Sequence, residues 1–192
     1  MKREKTIQDI QACIDRRWPN NGLKVQPFGS SITGILSAKS DVDLSLLDPS
    51  RPFGVGTPKE HVVSVGPERP EINGQPEWYD VRTVAKALRK YGMDYKAGTH
   101  RFHNILAIDA ANVPIVKFKG AGPEGLSVDI NINDRFGLAN SQMIRAYASL
   151  RPNTFIQMCF IVKFWLKRRK CNDPSGEGGD GISLSSYSIV LL

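Results

Sequence analysis

Phe28-Gly29-Ser30-Ser31-Ile32-Thr33-Gly34-Ile35-Leu36-Ser37-Ala38-Lys39-Ser40-Asp41-Val42-Asp43-Leu44 is the stretch whose reading decides the fold. Val42 to Leu47 is apolar and reads as a strand, ended by Asp48-Pro49. Asp41 and Asp43 are one residue apart, so a strand points both carboxylates to one face. Their spacing is then about 6–7 Å by strand rise. Two like charges at that distance repel, and one carboxyl pKa rises unless something relieves it. A divalent cation does so, and hard oxygen ligands suit magnesium. Gly29-Ser30 supplies a bend where backbone N–H groups can approach a phosphate. Ser30 or Ser31 is placed to cap a short helix running to about Leu36, whose N-terminus also favours an anion. The parts suit a metal–triphosphate site. The alternative for a lone Asp-x-Asp pair is two solvated carboxylates at a strand end; the preceding Gly-Ser and the apolar strand that follows weigh against it.

The rest of the chain is compatible with one globular domain plus part of a second. It has 192 residues, 41% apolar and 23% charged, close to globular averages. Lys plus Arg number 26 against 19 acidic residues, a formal charge of +7, which fits either a solvated basic surface or a polyanionic partner. Three scattered cysteines, Cys13, Cys159 and Cys171, make neither a disulfide framework nor a CxxC metal site, and a reducing compartment is expected. No apolar run follows Met1-Lys2-Arg3-Glu4-Lys5, so no signal peptide is expected. The most apolar stretch, Phe155 to Leu166, is interrupted by Gln157 and Lys163, so no membrane span is expected.

Ile7, Ile10, Cys13, Ile14 and Trp18 mark one face of a helix over 6–18. Leu23, Val25 and Pro27-Phe28 read as a short strand. Residues 49–77 hold six of the twelve prolines and are expected to be a long, irregular, mobile insertion. Glu77 to Tyr91 reads as a helix with Val81, Val84, Ala85 and Leu88 on its apolar face, ended by Gly92. Phe102–Ile108, Val113–Phe118 and Leu126–Ile132 read as three strands. Leu138–Leu150 and Thr154–Lys170 read as helices. Ser183–Leu192 begins a third, and its apolar ending suggests a piece of a longer protein.

The Phe28–Leu44 stretch resembles the DNA polymerase β-like nucleotidyltransferases. It is most similar to their template-independent RNA branch, the cytoplasmic poly(A) polymerase-like enzymes and terminal uridylyltransferases, whose pattern is "FGS…TGL…SDVDL". The resemblance implies a third aspartate on a later strand, and Leu126-Ser127-Val128-Asp129-Ile130-Asn131-Ile132 supplies Asp129, after Val113-Pro114-Ile115-Val116-Lys117 as the preceding strand. A single Asp inside an apolar strand is costly without a partner, which suits a metal ligand. Asn140-Ser141-Gln142-Met143-Ile144-Arg145-Ala146-Tyr147 resembles "NT…LLRAY", with Ser141 where Thr is usual. The resemblance puts Asn140 and Ser141 near a ribose. Ile161 to Arg168 resembles "VKHWAKR", with Phe164 where His is usual, which assigns Lys163 and Lys167 to the β and γ phosphates. Arg168, Arg169 and Lys170 suit solvent or RNA phosphates. Leu184-Ser185-Ser186-Tyr187 resembles "LSSY", which assigns Ser186 to a phosphate and Tyr187 to the base. The Gly-rich stretch 176–181 is not a phosphate-binding P-loop, and His61, His100 and His103 are too scattered for a metal site.

The expected fold class is α/β: a small mixed-sheet nucleotidyltransferase palm followed by an incomplete helical domain. The expected domains are an N-terminal helix in 1–22 packing on the helical part, a palm over 23–135, and a partial helical domain over 136–192. The resemblance implies transfer of AMP or UMP from ATP or UTP to an RNA 3′-OH, with pyrophosphate release. Asp41, Asp43 and Asp129 would be the catalytic, metal-holding residues for Mg²⁺ or Mn²⁺. Gly29 and Ser30 would join Lys163, Lys167 and Ser186 at the triphosphate. A cytoplasmic location is expected, with nucleus or mitochondrion as alternatives. Two other readings stay open: a nucleotidyltransferase with a non-RNA acceptor, and a non-catalytic paralogue that binds RNA or a partner.

Overall fold

The computed structural model describes residues 2–35, 40–68, 70–94, 97–121 and 125–169, with Lys167 described by its backbone only. Five helices are described: α1 (Lys2–Arg17), α2 (Ser30–Thr33), α3 (Val81–Tyr91), α4 (Arg135–Leu150) and α5 (Pro152–Arg168). The main strands are β1 (Lys24–Phe28), β2 (Val42–Leu47), β3 (Phe102–Ile108), β4 (Ile115–Gly120) and β5 (Ser127–Ile132). The chain divides into two compact units, 1–28 with 39–135 and 29–38 with 136–192.

The first unit is built on one five-stranded sheet in the order β1-β2-β5-β4-β3. β2 and β5 run parallel; every other pair is antiparallel. Alternation sorts the side chains. Val42, Leu44, Leu46, Val116, Phe118, Val128 and Ile130 are all buried in one core with residues of α1 and α3. Asp43, Lys117 and Asp129 fall at the intervening positions and are only partly buried. Truncating Leu44 or Leu46, both fully buried, to Ala would cost about 2–5 kcal/mol.

α3 starts where Asp80 accepts hydrogen bonds from the Arg82 and Thr83 backbone N–H groups at 3.1 Å. It stops at Gly92, where a Cβ would lie 2.5 Å from the Leu88 carbonyl and 2.6 Å from the Phe102 ring. Residues 77–79, expected in the helix, instead form a separate 3₁₀ turn ahead of the cap.

Two expectations are corrected here. Helix α1 does not belong with the helical part. Ile10, Cys13, Ile14 and Trp18 sit in the sheet unit's core with Val84 and Leu88. Its amphipathic face matched two possible partners, and the periodicity could not choose between them. The insertion 49–77 is also more ordered than its composition suggested. Val63 N–H donates to the Ser50 carbonyl at 2.9 Å, and Thr57 is buried with its hydroxyl on the Gly54 carbonyl. Buried Glu77, at the end of the insertion, accepts the Trp18 indole N–H at 2.8 Å and pairs with Arg17. Trp18 also meets Trp78 edge-on, with ring centroids 6.1 Å apart.

The second unit packs Ile35 against Ile144 and Cys159, flanked by Phe155 and Val162. The expected palm boundary therefore shifts: the residues from Gly29 to Ile35 group with α4 and α5 rather than with the sheet. Among the described residues, no helix is long and apolar enough to cross a membrane.

Candidate active site

Parallel pairing of β2 and β5 sets Asp43 opposite Asp129 in register, with Ser45 opposite Asn131. β4 then sets Lys117 opposite Asp129 on the other side. The row Asp43–Asp129–Lys117 thus crosses three neighbouring strands on the face away from the apolar core. The strand-end geometry follows from one residue. Asn133, just past β5, has φ +52° and is buried. Its N–H donates to the Leu46 carbonyl at 2.9 Å, and its Oδ1 accepts the Asp48 N–H at 3.2 Å. The next residue, Asp134, donates its N–H to Ser45 Oγ at 3.0 Å. The two aspartate strands are therefore cross-tied where their ladder ends.

Asp129 is unevenly satisfied. Its Oδ2 accepts from Lys117 Nζ at 3.3 Å, whereas its Oδ1 is buried with no hydrogen-bond partner. Burial raises the Asp129 pKa, Lys117 opposes that, and the nearby Asp41 charge adds to it. An orphaned carboxylate oxygen in that setting costs about 1–3 kcal/mol unless a cation or donor meets it. Asp41 is exposed, immediately ahead of β2. Among the described residues, no three His, Cys, Asp or Glu side chains form a group close enough to hold a metal ion. Register pairs Asp43 with Asp129, and the third neighbour in the row is the Lys117 ammonium. Asp43 and Asp129, in register on adjacent strands, are hard oxygen donors of the kind a divalent cation takes, two carboxylates rather than a complete ligand group.

The Gly-Ser turn lies in the second unit. Gly29 has φ +62° and ψ −141°, a conformation that in practice only glycine adopts. Gly29, not Ser30 or Ser31, takes the cap position of α2, which ends at Thr33 rather than near Leu36. The Gly29 N–H donates to Ser141 Oγ at 2.7 Å, and Ser141 Oγ in turn donates to the Gly137 carbonyl at 2.7 Å. Ser141, expected near a ribose, thus spends its hydroxyl proton on the Gly137 carbonyl and one acceptor lone pair on the Gly29 N–H, which secures the turn. Ser31 Oγ is buried without a hydrogen-bond partner. Asn140 is half-buried on α4, and Lys163 is half-buried on α5 one turn before Lys167. Ser186 and Tyr187 lie outside the described residues.

Lys117 and Asn133 carry no motif of their own. Lys117 stood in an unremarkable strand, and only its place beside Asp129 gives it meaning. A buried Asn with positive φ could have been suspected from Asn133-Asp134 closing an apolar strand, a common turn signal.

The mixed sheet with aspartates in register on adjacent parallel strands, downstream of a Gly-Ser turn, defines a nucleotidyltransferase palm of the DNA polymerase β type. Residues 1–149 match the family described as "Poly(A) RNA polymerase, mitochondrial-like, central palm domain", and the chain belongs to that family. Terminal uridylyltransferase 7 of Homo sapiens is 30% identical over 196 residues, covering 99% of this chain and 10% of that protein. Poly(A) RNA polymerase GLD2 of Xenopus tropicalis is 26% identical, covering 100% of this chain and 30% of that protein. The chain thus spans a third or less of these curated relatives. Among solved structures, terminal uridylyl transferase 4 from Trypanosoma brucei with bound UPU superposes with a TM-score of 0.68 at 21% identity, over 98% of this chain and 51% of that one. Cid1 poly(U) polymerase, in an H336N mutant bound to MgATP, gives 0.64 at 22% identity, over 99% and 47%. Both likenesses establish the palm fold.

Proposed function

We propose that the protein transfers a nucleoside monophosphate, AMP or UMP, from an NTP to an RNA 3′-OH without a template, releasing pyrophosphate. The observation that carries this is the Asp43–Asp129 pair in parallel register, with one Asp129 oxygen buried and unpartnered. Asp41, Asp43 and Asp129 are the residues that would hold Mg²⁺ or Mn²⁺. Bound there, the metal supplies charge neutralisation at the triphosphate and acidifies the attacking hydroxyl. Asp129 is the acceptor for the 3′-OH proton. Gly29 and Ser30 shape the turn assigned to the triphosphate, with Lys163 and Lys167 as its cationic partners and Asn140 beside the ribose. Ser141 acts through the turn, by holding the Gly29 N–H. Ser186 is assigned to a phosphate and Tyr187 to the base, following the resemblance. The names of the similar proteins, uridylyltransferases and poly(A) polymerases, support the reaction class and keep both UTP and ATP as donors. The cytoplasm is the proposed location, on the same resemblance.

The test is extension of a labelled RNA oligonucleotide by the full chain with Mg²⁺ and each NTP in turn. Products one or more nucleotides longer are expected, and Asp43→Asn or Asp129→Asn should lower the rate by about 100-fold or more. Extension at wild-type rate by either variant would remove these carboxylates from the mechanism. Label transfer to a protein or small molecule, with none to RNA, would establish the non-RNA acceptor instead.

A further inference from the structure

The insertion between β2 and α3 carries a groove that the reaction assigned above does not use. It has a volume of about 550 Å³, and its lining includes residues 62–68, Arg51 and Glu71. That is the size of a ligand pocket. Three properties of the lining point to one kind of occupant. The first is the main chain. Val62 is extended, with φ −74° and ψ 123°, and Val63 N–H donates to the Ser50 carbonyl at 2.9 Å. Beyond that tie, the N–H groups of Ser64 and Val65 and the carbonyls of residues 62–65 have no hydrogen-bond partner among the described residues. Such a segment offers its polar main chain as a strand edge does, and an incoming strand satisfies it. The second is apolar surface: Val63 is 54% exposed and Val62 39%. The third is charge. Glu68 and Glu71 are exposed and hold no ion pair among the described residues, in a chain whose formal charge is +7. Arg51, the cation of the described lining, has its guanidinium over the Tyr79 ring, 5.4 Å from the centroid.

We propose that this groove docks an extended segment of a partner protein in which apolar residues alternate with Lys or Arg. The segment's main chain pairs with Ser64 and Val65, its apolar side chains cover Val62 and Val63, and its cations meet Glu68 and Glu71. Each part answers a group that the fold leaves open. The two carboxylates weigh against RNA, whose phosphates they repel. The proposal stands apart from nucleotidyl transfer and needs none of the aspartates on β2 and β5.

The experiment selects a phage-displayed library of random linear peptides on the full chain and measures the enriched peptides, made synthetically, by fluorescence anisotropy. Peptides that alternate apolar residues with Lys or Arg should be enriched. Their affinity should fall about tenfold or more, about 1.4 kcal/mol, on the double variant Glu68→Lys with Glu71→Lys. Selection repeated on that variant should enrich Asp or Glu in place of the cations, a reversal that a merely structural role for the glutamates would not produce. Val63→Asp should also weaken binding of the original peptides. Both glutamates are exposed and unpaired, so the charge reversal keeps the test open should Val63→Asp fail to fold. No enrichment, enrichment of peptides without cations, or equal affinity for wild type and the charge-reversed chain would overturn the proposal. Concentration-dependent self-association in sedimentation velocity, lost in Val63→Asp, would give the groove to a second copy of the chain and overturn it as well.

Discussion

Replacing Asn133 with Ala is expected to be among the most damaging single changes outside the apolar core. Asn133 is 1% exposed, and its side chain makes four hydrogen bonds. Oδ1 accepts from the Asp48 N–H at 3.2 Å and from Arg135 Nε at 3.1 Å. Nδ2 donates to the Arg51 carbonyl at 3.0 Å and to the Tyr79 hydroxyl oxygen at 2.8 Å. At about 1 kcal/mol per bond the loss is about 4 kcal/mol. Alanine must also hold φ +52°, which adds about 1 kcal/mol relative to residues that tolerate it. Neighbouring bonds do not add fully, so a total of about 3–5 kcal/mol is expected. That is a large share of the roughly 5–15 kcal/mol by which a native protein is stable. Urea unfolding followed by far-ultraviolet circular dichroism should show a lower midpoint at unchanged slope. Asn133→Gly separates the two contributions, since glycine accepts the backbone angle, and should recover about 1 kcal/mol of the loss. A loss under about 1 kcal/mol for Asn133→Ala, or equal losses for Ala and Gly, would refute the reasoning.

Gly29→Ala should lower stability by about 1–3 kcal/mol and weaken NTP binding, because φ +62° with ψ −141° excludes a Cβ; a variant with wild-type melting and wild-type NTP affinity would show that the turn relaxes freely. Ser141→Ala should weaken NTP binding by freeing the Gly29 N–H, while Ser141→Thr keeps the hydroxyl and should match wild type in a calorimetric titration. Burial pushes the Cys13 thiol up to about 11 from its ordinary 9.0, so the folded protein favours the protonated form. Its contribution to stability is full below pH 9 and is lost as the pH rises from 9 towards 11. Native protein at pH 8 should therefore leave Cys13 unmodified by iodoacetamide in a peptide-mapped digest, and rapid labelling there would contradict the burial.

The amino-acid sequence by itself determined what depends on near neighbours in the chain. The Asp41-Val42-Asp43 spacing predicted two carboxylates on one face of a strand, because a strand repeats every second residue; β2 begins at Val42, so the alternation places Asp43 and leaves Asp41 ahead of it. The apolar faces of α1 and α3, the stop of α3 at Gly92 and the Gly-Ser turn were legible for the same reason. The family resemblance pointed to Asp129 as the third aspartate, and its place as a single charge in Val128-Asp129-Ile130 agreed with that. What only the tertiary structure decided is everything set by strand order. Nothing local says that β5 inserts between β2 and β4, yet that insertion puts Asp129 beside Asp43 and Lys117 beside Asp129. The same holds for α1, whose apolar stripe would suit any complementary surface but is buried with α3 and β1 of the sheet unit. It holds for Ser141, whose hydroxyl the fold brings to the Gly29 N–H from 112 residues away in the chain. Periodicity states which face of an element must be covered. Which partner covers it, and which side chains meet there, is settled by long-range packing, whose free energy depends on the whole core at once.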